Sequence, residues 1–138
     1  MELLSQHDDP VHWMEPPDFD YESAQARFSQ FLQQLSAAMG MPLKSETGIL
    51  LQDAIYHSEV FIPVGADPKP SLRFSSFGDM VTVIKSQDVP AAWLTIIEDL
   101  LKKHGYVYVP VEVLQQPYTG KNPGVDGFAD WLSRYFGW

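Results

Sequence analysis

Between positions 20 and 40 the apolar residues Tyr21, Ala24, Phe28, Phe31, Leu32, Leu35 and Met39 recur at steps of three and four. That spacing is one face of an amphipathic helix. Asp20 stands where a side-chain oxygen caps the first free N–H groups, and Glu22 suits the positive end of the dipole. Gly40 and Pro42 stop the helix. The pattern then changes period. Residues 48–64 are rich in aromatic and β-branched side chains and predict strand, either one bent strand or two. Residues 65–70, GADPKP, read as a loop. SLRFSSFGDMVTVIK, residues 71–85, predicts a β-hairpin turning at Gly78-Asp79.

A second helix is expected from about Val89 to Lys103, with Asp88 as cap, Pro90 in the first turn and Gly105 closing it. Trp93, Ile96, Ile97, Leu100 and Leu101 form its buried stripe. YVYVP, residues 106–110, reads as strand, VEVLQQ as a short turn or helix, and PYTGKNPGVDG as loop. FADWLSRYF predicts a last helix with Phe128, Trp131, Leu132 and Tyr135 on one face. The order of elements predicts an α+β fold. It is a single domain with an antiparallel or mixed sheet of about four strands, two long helices and a short C-terminal helix, the helices packing on one face. Residues 1–19 form an acidic irregular leader, broken by Pro10, Pro16 and Pro17, and residues 20–138 the domain.

Composition narrows the functions. The 138 residues contain no cysteine, which excludes a disulfide framework, thiol catalysis and thiolate zinc sites. No basic n-region or long apolar run suggests a signal peptide or membrane span, so a cytoplasmic protein is expected. Net charge is −9, from 18 acids against 9 Lys and Arg. Residues 1–22 hold seven of the acids and no Lys or Arg. Such a leader repels phosphate polymers, so no nucleic acid is expected, and it attracts a basic partner protein. The partner-binding candidates are Asp8, Asp9, Trp13, Glu15 and Asp18.

Specific chemistry is sparse. No phosphate-loop, dinucleotide, zinc-protease, serine-hydrolase or calcium-loop motif occurs in the sequence. HDDPVH, residues 7–12, offers metal-ligand side chains, but Pro10 breaks the helix that would align His7 with His12, and no metal or cofactor is expected. In a regular strand, Asp53, His57 and Glu59 share one face, where a histidine beside a carboxylate can act as an acid–base pair. Arg73 on the hairpin, near Ser75 and Ser76, either clamps an anion or lies on the solvent face of a half-buried strand. His57, Glu59 and Arg73 are therefore the candidate ligand-pocket residues. YTGKNPG lacks the strand and helix context of a phosphate loop. Trp131, Arg134, Tyr135 and Trp138 are either core or interface anchors.

RFSSFGDMVTVI, HGYVYVPVEVL, PYTG and DWLSRYFGW together resemble small bacterial proteins of the polymorphic-toxin immunity type. The resemblance covers residues 71–138 and rests on glycine turns and aromatics. It implies a non-catalytic binding protein that neutralises a basic toxin domain by acidic surface complementarity, and it assigns no functional residue. The alternative is a small-ligand-binding domain or enzyme with its pocket near His57, Glu59 and Arg73.

Overall fold

The computed structural model describes Leu4, Asp8 and residues 19–47, 55–65, 67–120 and 130–136. Helix α1 spans Tyr21–Met39. Asp20 caps it as expected, accepting from Ser23 N at 3.1 Å and Ser23 Oγ at 2.7 Å. These bonds hold its carboxyl below the ordinary range. Gly40, at φ 73°, ends the helix with left-handed geometry that a side chain would resist. Strands β1 (Ser45–Thr47), β2 (Tyr56–Phe61), β3 (Ser71–Ser75) and β4 (Met80–Ile84) pair antiparallel in that order. The β3–β4 hairpin turns through Gly78 and Asp79, at φ 59° and 54°, the signature of a type I′ turn. A 3-10 turn (Ser86–Asp88) leads to α2 (Ala91–Lys103), then β5 (Val107–Tyr108), α3 (Val111–Leu114) and α4 (Trp131–Phe136). Strand β5 lies parallel to β4, so the α+β fold has a mixed sheet.

Three expectations change. The sheet has five strands rather than about four. Helix α2 starts after Pro90 and Asp88 sits in the preceding 3-10 turn, because the residue before a proline is held out of helical geometry. The helices cover both faces of the sheet. Phe28, Phe31 and Leu35 of α1, with Ile97 and Leu101 of α2, pack on Val60, Leu72, Phe74, Val81 and Val83. Phe74 is the hub, with Phe28 and Tyr106 each edge-on at 5.0 Å. Met80 and Ile84 alternate with Val81 and Val83, so they face the other way, into a second cluster with Leu114, Trp131 and Phe136. This two-sided burial explains why every residue of β3 and β4 is buried.

The second cluster is tied to the start of the chain. Leu4 is buried within it, and Tyr135 Oη donates to the Leu4 carbonyl. Asp8 accepts from Arg134 Nε at 2.9 Å, with side-chain exposures of 1% and 0%. Tyr118 Oη donates to the same carboxylate at 2.8 Å. Gly120 lets the chain pass this carboxylate, because a Cβ there would overlap Asp8 Oδ2. The Arg134 guanidinium stacks over Phe77 at 4.6 Å.

Removing one partner of such a pair exposes the desolvation cost of the other. Asp8→Ala is expected to lower stability by about 3–5 kcal/mol. The double variant Asp8→Ala/Arg134→Met should recover most of that loss. Urea denaturation of the two variants against the parent decides it, and equal losses would show that the pair is not coupled.

Candidate functional site

Beyond α4, the sheet face that carries the second cluster opens into a pocket of about 640 Å³. Its deepest polar groups come from neighbouring strands. Glu59 on β2 stands opposite Arg73 on β3, and Ser71 is two residues along. Arg73 Nε donates to Glu59 Oε2 at 3.0 Å and Ser71 Oγ to the same oxygen at 2.6 Å. Arg73 Nη1 also donates to the Phe136 carbonyl at 2.7 Å, which fastens α4 to the sheet. The guanidinium lies 4.3 Å from the centroid of the Tyr56 ring. Arg73 is therefore buried, at 9% exposure, rather than on a solvent face.

Lys44, Lys69 and Lys85 line the more exposed parts of this pocket, with Asp67. Lys69 Nζ donates to the Gly65 carbonyl, and Lys85 Nζ to the Pro68 carbonyl at 2.8 Å. Each ammonium has three donors, so these bonds leave donors over. No sequence signal marks this gathering, because the three lysines come from separate segments, before β1, in the 65–70 loop and after β4.

His57 is not part of this pocket. The expected sharing of a face with Glu59 fails because β2 shifts register between Tyr56 and Ser58. A bulge puts two residues against one on the partner strand and turns the side chains after it. Glu59 meets Arg73, while the His57 ring lies among Phe19 and Phe74, at 5.9 and 6.1 Å, towards α1. There it lines a cavity of about 150 Å³ with Arg27, Asp79 and Tyr106. Asp53 lies outside the described residues.

A histidine–serine contact missed by the sequence reading sits at the bulge. His57 Nδ1 lies 2.8 Å from Ser58 Oγ, and Gln25 Nε2 donates to that oxygen at 3.1 Å. Ser58 is 0% exposed, so no substrate reaches its oxygen, and the contact anchors α1 to β2.

Comparison with protein-family models, with curated proteins and with solved structures finds no match. Among the described residues, no group of three His, Asp or Glu stands close enough to hold a metal ion. No helix there is long and apolar enough to cross a membrane.

The leader candidates divide. Asp8 is not offered to a partner as expected, because its carboxylate is buried against Arg134. Asp9, Trp13, Glu15 and Asp18 lie outside the described residues, as do Phe128 and Trp138.

The His57 pKa is lowered to about 4, first by burial and then by the Arg27 charge, with Asp79 opposing both. An unfolded histidine titrates at about 6.5. Between the two values the unfolded chain binds the extra proton, so this contribution is complete above about pH 6.5 and is lost as pH falls towards 4. The parent should be about 2 kcal/mol less stable at pH 5 than at pH 7 through this group alone. His57→Gln should remove that portion of the pH dependence in urea titrations. An unchanged slope in the variant would assign the loss to other groups.

Proposed function

We propose that this chain is a non-catalytic binding protein, most concretely an immunity protein that neutralises a basic bacterial toxin domain by acidic surface complementarity. The observation that carries the reading is at the β5 end of the sheet. Strand β5 is the last in the strand order among the described residues. Its Val107 is 39% exposed, and its Tyr108 is half-buried. Burial raises the Tyr108 pKa first, and the charges of Glu98 on α2 and Glu112 on α3 raise it further, so the ring lies within the field of both carboxylates. Both glutamates are exposed. An aromatic anchor with an adjacent apolar residue and a carboxylate rim suits a partner that presents Lys or Arg around an apolar contact.

The charge balance supports the same reading. Internal pairing removes acids and bases one for one, so the two buried pairs leave the net charge at −9. Outside those pairs, 16 of the 18 acids face 7 of the 9 bases. The leader's Asp9, Glu15 and Asp18 add to that field, and Trp13 is a further candidate anchor. The β5 end takes the place given to Asp8. An immunity protein of this kind acts in the cytoplasm, where the toxin would otherwise reach its target.

The test looks for a toxic domain encoded beside this chain, and finding none would count against the reading; where one is found, it is the partner used. Co-expression is expected to restore growth, and binding should weaken by about tenfold or more as salt rises from low to high. Glu98→Lys/Glu112→Lys and Tyr108→Ser should each cost about tenfold or more in affinity, with the melting temperature as a check on folding. Full protection by the folded charge-reversal variant would remove the β5 end from the interface. Absence of binding by the parent at low salt would sink the function itself.

A further inference from the structure

Three of the chain's six lysines line one pocket in a protein of net charge −9. The pocket's walls carry Lys44, Lys69, Lys85 and Arg73 against Glu59 and Asp67, and Asp88, outside the lining, stands 3.5 Å from Lys85 Nζ, so the excess positive charge is centred on Lys44 and Lys69. Glu46 stands next to Glu59 in the sheet register but is not part of the lining. Low-dielectric walls of one sign concentrate the field inside a cleft. A basic partner protein would be repelled here, so this site is separate from the β5 end.

The rest of the lining is mainly apolar, with Leu43, Phe61, Pro63 and Ile84 among it. A volume of about 640 Å³ is in the range of small-molecule sites. At the deep end, the Glu59 side chain is 7% exposed and spends only Oε2 on Ser71 and Arg73. Its Oε1 meets no donor among the described residues, although Glu59 lines the pocket. That oxygen is open to the pocket rather than sealed, so a ligand N–H or O–H can donate to it.

We infer that this pocket binds a small anionic amphiphile. Its apolar body lies against Leu43, Phe61 and Ile84, its anionic group meets the lysines, and a hydrogen-bond donor on it reaches Glu59 Oε1. A carboxylate, sulfonate or phosphate head satisfies the same lysine donors. This inference is independent of the partner reading and survives its failure.

Two fluorescent probes with one ring system test it. 8-Anilinonaphthalene-1-sulfonate carries a sulfonate and an N–H, and N-phenyl-1-naphthylamine lacks the sulfonate. The folded protein should bind the sulfonate about tenfold or more tightly at low salt. Lys44→Gln/Lys69→Gln, at surface positions, should remove that preference and leave the neutral probe's affinity unchanged. The phenoxy analogue, with an ether oxygen in place of the amine, should bind several-fold more weakly. Amide shift changes should fall on residues 43, 44, 59, 61, 69 and 71. Equal binding of the two probes, no effect of the lysine variant, or shifts elsewhere would overturn the site. Equal binding of the phenoxy analogue would overturn the role of Glu59. Decanoate should displace the sulfonate probe and decyltrimethylammonium should not, and the reverse order would overturn the charge assignment.

Discussion

A carboxylate and a guanidinium 126 positions apart share one dry site, and the back of the molecule is organised around them. Dehydrating Asp8 and Arg134 costs several kcal/mol per ion, by rough reckoning, and their attraction only partly returns it. The site therefore needs its other contacts. Tyr118 donates to Asp8, and Phe77 and Tyr135 flank the guanidinium. The pair fixes a location more than it adds stability, because α4 can bury Arg134 only where Asp8 waits. Arg73 works at the last residue of α4, holding the Phe136 carbonyl with Nη1 and Glu59 with Nε. Two arginines thus set how far α4 extends across the sheet. What it leaves uncovered is the pocket.

The same economy shapes the surface. Only 9 of the residues are Lys or Arg, and Arg73 and Arg134 are taken into the interior. Arg27 is spent on Asp79 at 2.8 Å and on the face of Tyr106. That exposed pair adds little stability, since both side chains remain in water. Three lysines then gather at one pocket, so most of the remaining surface is left to acids. An acidic exterior with one basic recess is a consequence of where a few cations are used.

The sequence disclosed what is local. Asp20, Gly40 and Gly78-Asp79 each act within a few residues, so their caps and turn could be read directly. The helical stripes were equally plain, because a 3.6-residue period needs no partner to be seen. Alternation along β3 suggested a half-buried strand, whereas both faces are covered, since the second cover comes from α3 and α4 far downstream. The Glu59–Arg73 neighbourhood was half legible: both residues were candidates, but their pairing depends on strand register. PYTG and the RYF segment stood out as a resemblance, and they prove to be the parts that enclose Asp8. A leader rich in acids hid the one that is structural, because composition does not say which carboxylate has a guanidinium waiting.

One extra residue in β2 separates the two sides chemically. The bulge turns His57 and Ser58 to α1, where Gln25 donates to the His57 carbonyl and the Ser58 hydroxyl. Without it, His57 would face the same way as Glu59 and bring a group that titrates near neutrality into the pocket. With it, the imidazole is kept neutral by burial, and Arg27 opposes its protonation. The ionisable groups left to the pocket lining are carboxylates, ammonium groups and a guanidinium. The bulge therefore leaves Glu59, Arg73 and the three lysines on one side of the sheet and the histidine–serine contact on the other.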